Sequence, residues 1–250
     1  MRMREKGDLR TKLEKISKRA GAVAFGVASA EDADKLKTVV MDEYEPIISV
    51  KVRSIMPDAQ SVILFGIEAT DDADELAIRR GRRHWDYPGY FPLKLIGRDL
   101  VAALNREGFK AMIPSEDIPR KSIAALTSIG TYGKNSMIIS EKYGLSLRIE
   151  TVITNAKLRK DRPLGKDLCK DCERCARACP TQAIVRPYVL NPRRCFVRIS
   201  EVGTDDEELK RKFDRRSFWL TPNTYLMCTI CQMVCPYTTD KRRMSQMQKK

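Results

Sequence analysis

The eight cysteines of this 250-residue chain all lie in its last third, and their spacing constrains the fold more than any other feature. Cys169-x2-Cys172-x2-Cys175-x3-Cys179-Pro180 is a run that suits an iron–sulfur cubane. Three closely spaced thiolates wrap three irons of one cluster. The fourth cysteine, followed by a helix-disrupting proline, turns towards a neighbouring cluster. Cys228-x2-Cys231-x3-Cys235-Pro236 repeats the last three cysteines and the proline. Its missing first member must come from elsewhere, and Cys195 is the cysteine that remains. Crossed ligation then predicts one [4Fe-4S] cluster on Cys169, Cys172, Cys175 and Cys235, and another on Cys179, Cys195, Cys228 and Cys231. Spacing leaves open an uncrossed assignment and a pair of structural zinc sites, since thiolate quartets also suit Zn²⁺. Zinc knuckles usually separate their two Cys-x2-Cys pairs by a longer loop and do not need the Cys-Pro ends.

Ahead of the cysteines, helical and strand patterns interleave. Residues 8–19 carry Leu9, Leu13 and Ile16 at helical spacing, and 93–106 carry Leu93, Ile96, Leu100, Ala103 and Leu104 before Gly108. A further helix is expected over 118–129. Residues 22–28, 61–67, 109–113, 136–140 and 145–154 read as strands, the second a continuous apolar run of the buried kind. The pattern predicts an α+β protein: an α/β domain over residues 1–156, then a charged linker with Pro163 and Gly165. A double-cluster module follows over 157–240 and a polar tail over 241–250. The module is expected to be of the bacterial ferredoxin kind.

The formal charge is +14 and is unevenly spread. Residues 156–250 hold 22 Lys and Arg against 11 Asp and Glu, whereas residues 1–155 hold 25 against 22. A basic face suits an acidic electron donor or a nucleic acid, and a solvated surface would look the same. No run of about 18 apolar residues is present, so no membrane partner is expected. The start of the chain leads into an amphipathic stretch, and a reducing compartment favours metal over disulfide use of cysteine. The expected location is the cytoplasm. The aromatic pair Phe218-Trp219, between Cys195 and Cys228, is expected to shield a cluster or to stack on a ligand.

Two stretches resemble epoxyqueuosine reductases. Ile118-Pro119-Arg120-Lys121 through Ile129-Gly130-Thr131-Tyr132-Gly133-Lys134-Asn135-Ser136 is similar to their Gly-Leu-Gly-Trp-x-Gly-Lys-Asn segment. Arg193-Arg194-Cys195 followed by Cys228 through Tyr237 is similar to the second half of their cysteine pattern. The resemblance covers roughly residues 55 to 240 and extends to the reductive dehalogenases. It implies a nitroreductase-like first domain that cradles a corrinoid such as cobalamin, fed with single electrons by the clusters. Gly130, Tyr132, Gly133, Lys134 and Asn135 then fall on the cofactor-proximal loop. The family's proton-donating aspartate falls on Pro114, which leaves Glu116 and Asp117 as the nearby carboxylates. Thr131 replaces the family's tryptophan, and the C-terminal helical-repeat extension is missing from this sequence, which weakens the expectation of a tRNA substrate. His84, the one histidine, is expected on the surface among arginines.

The expected function is reduction of a small molecule or modified nucleoside by an iron–sulfur oxidoreductase with a bound corrinoid, fed by ferredoxin or flavodoxin. A flavin in place of the corrinoid, an electron-transfer protein with no catalytic cofactor of its own, and RNA binding through the basic surface are the alternatives.

Overall fold

The computed structural model describes residues 8–36, 50–81, 84–115 and 118–238. Along the chain come α1 (Leu9–Arg19), β1 (Ala24–Ser29), α2 (Ala30–Asp34), α3 (Val52–Ile55), β2 (Ser61–Glu68), β3 (Leu76–Arg79) and β4 (Trp85–Asp86). Next are α4 (Phe91–Arg106), β5 (Ala111–Met112), α5 (Arg120–Ala124), β6 (Thr131–Tyr132), β7 (Ile138–Ile139) and β8 (Leu147–Thr154). The cysteine-bearing part adds α6 (Arg174–Ala178), β9 (Ile184–Arg186), β10 (Val189–Leu190), α7 (Phe196–Val202), α8 (Glu207–Arg216), β11 (Phe218–Thr221), β12 (Thr224–Leu226) and α9 (Ile230–Met233). The result is a mixed α/β fold, as the interleaved pattern predicts.

The main sheet has the order β1-β2-β8-β5, and every pairing in it is antiparallel. Side chains alternate across a strand, so a strand covered on both faces must be apolar at every position. That accounts for the unbroken run in β2. Val62 and Leu64 face one core with Ile149, Ile153, Val52, Ile123 and Ala124. Ile63 and Phe65 face the other, with Val152, Leu13 of α1 and Leu93, Ile96, Leu100 and Leu104 of α4. All four β2 side chains are fully buried.

The helix expected over 118–129 is much shorter, ending at Ala124. Thr127 explains the stop: its hydroxyl donates to the Ala124 carbonyl and accepts the Ile129 N–H, offering the backbone a turn in place of the next helical bond. No helix among the described residues is long and apolar enough to cross a membrane.

A second sheet joins distant parts of the chain. The hairpin β11–β12 lays β12 against β3, and β3 pairs with β4. Beneath it Ala77, Phe196, Ile199, Leu209, Phe213 and Tyr225 form a small core. Leu209 and Phe213 come from α8, whose start is capped by the Asp206 carboxylate accepting the Glu208 and Leu209 N–H groups.

The first region clasps the linker and the cysteine segment at several points. Asp161 pairs with Arg10, accepts the Ser128 hydroxyl at 3.0 Å, and donates its N–H to the Val27 carbonyl at 2.8 Å. At the other end of the segment Gly144, with φ +55°, lies under the Tyr237 carbonyl. A Cβ at position 144 would sit 1.4 Å from that oxygen, so only glycine allows the approach.

Candidate iron–sulfur and cofactor site

No disulfide joins any of the eight cysteines, and all are half-buried. Their electrostatic neighbourhoods fall into two groups. Cys169 feels Cys172, and Cys175 feels Cys169 and Cys235. Cys231 feels Cys195, Cys228 and Cys179, Cys228 feels Cys195 and Cys179, and Cys195 feels Cys179. Cys231 also feels Cys175, so the two sets adjoin. The helix carrying Cys175, α6, packs beside the helix carrying Cys231, α9. Among the described residues no three His, Cys, Asp or Glu side chains converge on a single-ion position. A cubane does not need that convergence, because its iron corners hold the four sulfurs apart.

The two sets differ in setting. Cys169, Cys172 and Cys175 lie on loop and on α6, a helix with no buried residue. Cys195 caps α7 and Cys228 packs against the small core of Phe196, Ile199 and Tyr225. Burial raises the thiol pKa in both sets. It pushes Cys228 up to about 11 and Cys231 up to about 12. Backbone amides counter this at two positions: those of Val197 and Arg198 point at Cys195, and that of Ile230 at Cys228. Separately, the Ala183 N–H donates to Cys179 Sγ at 3.2 Å.

The aromatic side chain beside the inner cysteines is Tyr225, 1% exposed and close to Cys195 and Cys228. Phe218 and Trp219 lie on β11 instead, four exposed positions at the sheet edge. Trp219 packs on Trp85 and Tyr225, with the Arg79 guanidinium 5.6 Å from its ring centre.

The five loop residues separate into two places. Gly130 and Tyr132 line a cavity of about 560 Å³ with Lys166, Asp167 and Tyr188. Gly133, Lys134 and Asn135 form the turn between β6 and β7, where buried Asn135 accepts the Met137 N–H. Lys134 reaches the outer cysteines: its N–H donates to Cys169 Sγ at 3.4 Å and its ammonium to the Lys170 carbonyl at 2.5 Å. The Tyr188 N–H donates back to the Lys134 carbonyl. Glu116 and Asp117 lie outside the described residues. His84 is exposed, 3.3 Å from Asp86 on the β3–β4 edge.

A cavity of about 30 Å³, the size of a single water, is walled by apolar side chains such as Leu145, Leu147 and Ile149 and by Glu75, Tyr90, Lys121, Arg148 and Gln232. Arg148 pairs with buried Glu75, donates to the Tyr90 hydroxyl at 3.2 Å, and lies 4.9 Å from that ring's centre. Its Nε is buried with no partner. Lys121 lines the same cavity, and the Cys195 and Cys231 thiols act on its ammonium. Burial pushes its pKa down, opposed by Cys195 and Cys231. Nothing in the sequence singles out Glu75, Tyr90 or Arg148, which converge from three separate elements.

This geometry defines an iron–sulfur protein with two adjoining cysteine sets, and residues 168–238 match the 4Fe-4S double cluster binding domain. Over most of its length the chain is similar to epoxyqueuosine reductases. It is 28% identical over 257 residues to that of Bacillus subtilis (strain 168), covering 93% of this chain and 64% of the relative. A structure of the Bacillus subtilis enzyme superposes with a TM-score of 0.68 at 25% identity, over 93% of this chain and 66% of that one. An epoxyqueuosine reductase with an epoxyqueuosine-modified tRNA-Tyr stem loop has the same fold, with a TM-score of 0.69 at 22% identity over 94% and 65% of the two chains. So does a reductive dehalogenase described with a mechanism for B12-dependent dehalogenation, with a TM-score of 0.59 at 15% identity over 98% and 35%. This chain therefore spans about two thirds of the length of the curated relatives it matches.

Proposed function

We propose that this chain is an iron–sulfur reductase of the epoxyqueuosine reductase type. In this reading two [4Fe-4S] clusters pass single electrons to a corrinoid held by a nitroreductase-like first domain, and a modified nucleoside in tRNA is reduced. The observation that carries the reading is the placement of the inner cysteines, close to the buried end of Lys121 and to the Arg148–Glu75 pair of the first region. Cys169, Cys172, Cys175 and Cys235 would hold the outer cluster, and Cys179, Cys195, Cys228 and Cys231 the inner one. The likeness to epoxyqueuosine reductases supports the substrate class, and the fold shared with a B12-dependent dehalogenase supports the corrinoid.

One observation suits a ligand beside the inner cysteines. The unpartnered Arg148 Nε is a buried donor of the kind that a ligand amide or carboxylate satisfies. A bound corrinoid supplies reduced cobalt chemistry that side chains lack. The chain's own residues do the rest. Arg148 holds Tyr90 in place, and Lys121 presents a proton whose release burial favours. Glu116 and Asp117 are the carboxylates nearest the position of the family's proton donor, which Pro114 fills here.

Anaerobic reconstitution with iron and sulfide, followed by cobalamin, tests this. Binding with a base-off corrinoid spectrum, then turnover of an epoxyqueuosine-bearing tRNA stem loop, is the expected result. Failure to bind cobalamin or flavin overturns the enzyme and leaves an electron-transfer protein. Cys195→Ala should lose or convert one cluster; two intact four-iron clusters would refute its assignment.

A further inference from the structure

The two cysteine sets are not equivalent towards solvent. The inner set is enclosed by α7, the core around Phe196 and Tyr225, and the cavity of Lys121. The outer set sits under the loop from Asp167 to Arg177, where Asp167, Lys170, Asp171, Glu173, Arg174 and Arg177 are all exposed. Electron tunnelling falls off steeply with distance, so a protein donor must dock over the set nearest the surface.

The surface there has the composition of a transient docking patch. Val185 is 52% and Tyr188 37% exposed on the β9–β10 hairpin, and Tyr188 is tied to the Cys169 loop through Lys134 and Asp167. Around them lie Lys134, Lys166, Lys170, Arg174, Arg177 and Arg186 against Asp167, Asp171 and Glu173. Arg177 is paired with Glu173 and Lys166 with Glu141, while Lys170, Arg174 and Arg186 enter no ion pair among the described residues. Exposed apolar side chains within a basic rim fit a small, short-lived interface with an acidic partner.

We infer that the face formed by Lys170, Arg174, Arg186 and Tyr188 is the docking surface for an acidic one-electron carrier protein, and that electrons run from the outer cysteine set to the inner one. The inference rests on the two-cluster reading above. One electron leaves the reduced carrier, which is oxidised, and enters the outer cluster, which is reduced; no bond forms or breaks.

The test uses the full reconstituted chain with the charges reversed by Lys170→Glu, Arg174→Glu and Arg186→Glu together. Stopped-flow reduction of the clusters by a reduced acidic [2Fe-2S] ferredoxin should slow about 10- to 100-fold at low salt, with the difference shrinking as salt screens it. Reduction by the methyl viologen radical cation should be unchanged or faster, whereas a damaged cluster would slow both. Lys15→Glu, Arg19→Glu and Arg98→Glu, on α1 and α4 across the main sheet, make the same charge change and should leave the ferredoxin rate within about twofold. Equal slowing by both triples, or no slowing by the first, overturns the docking surface while leaving the clusters and the reductase reading in place. A reconstituted chain without four-iron signals overturns both.

Discussion

The main sheet and the cysteine segment are held together by different means. In β1, β2 and β8 the strands are sealed between two apolar cores, and Val62 to Phe65 are completely buried. From Lys166 to Leu190 the buried residues are Thr181, Ala183 and Ile184. At about 25 cal/mol per Å² of apolar surface, the first region has ample burial to offset its ordering entropy. The second has little, and its order must come from metal–thiolate bonds and from contacts with its neighbour. One half is a core that carries a site; the other is a site that substitutes for a core.

The strongest way to break this contrast is to remove the iron. Chelation under reducing conditions should abolish hydrogen-exchange protection over 167–190 and 227–238 while β1, β2 and β8 keep theirs. Uniform loss of protection would show that the sheet depends on the clusters too. Next in size, Phe65→Ala should cost about 3–5 kcal/mol in chemical denaturation, with four-iron signals unaltered below the transition. Gly144→Ala should act on the other side. A methyl group against the Tyr237 carbonyl, at φ +55°, costs about 1–3 kcal/mol, read chiefly as faster chelation of the cluster that includes Cys235. Phe218→Ser, at the exposed sheet edge, should change the unfolding midpoint by no more than about 0.5 kcal/mol.

How far each part could be read in the sequence follows from the same contrast. The double-cluster segment was legible because ligand spacing is local, and Cys195 stood out as the sulfur outside the two Cys-Pro runs. The strand through Val62, Leu64 and Phe65 was legible because burial on both faces makes it an unbroken apolar run, and the helix through Leu93 and Leu104 because burial on one face imposes a period. The partnership of β12 with β3 was not, since Tyr225 and Ala77 meet across 148 positions of sequence through packing alone. Glu75, Tyr90 and Arg148 were hidden for that reason as well. The stop after Ala124 could have been suspected from Thr127, whose hydroxyl competes for the helix backbone, but a turn residue among alanines is a weak signal. Lys134 carried the largest surprise. The residue expected beside a cofactor has its backbone N–H on Cys169.

The clasp at Asp161 has a consequence for how the protein is assembled. With Arg10, Ser128 and the Val27 carbonyl holding one end of the segment, and β12 holding the stretch before Cys228, the cysteines belong to a loop whose two ends are held by protein contacts alone. Bringing the ends of a chain together is an entropic cost that a newly forming cluster need not meet here. Tethering raises the effective concentration of each thiolate near the others, so once a first iron–sulfur fragment is caught the remaining ligands arrive as an intramolecular event. Cutting the Asp161 clasp should therefore slow the acquisition of clusters well before it weakens the finished protein.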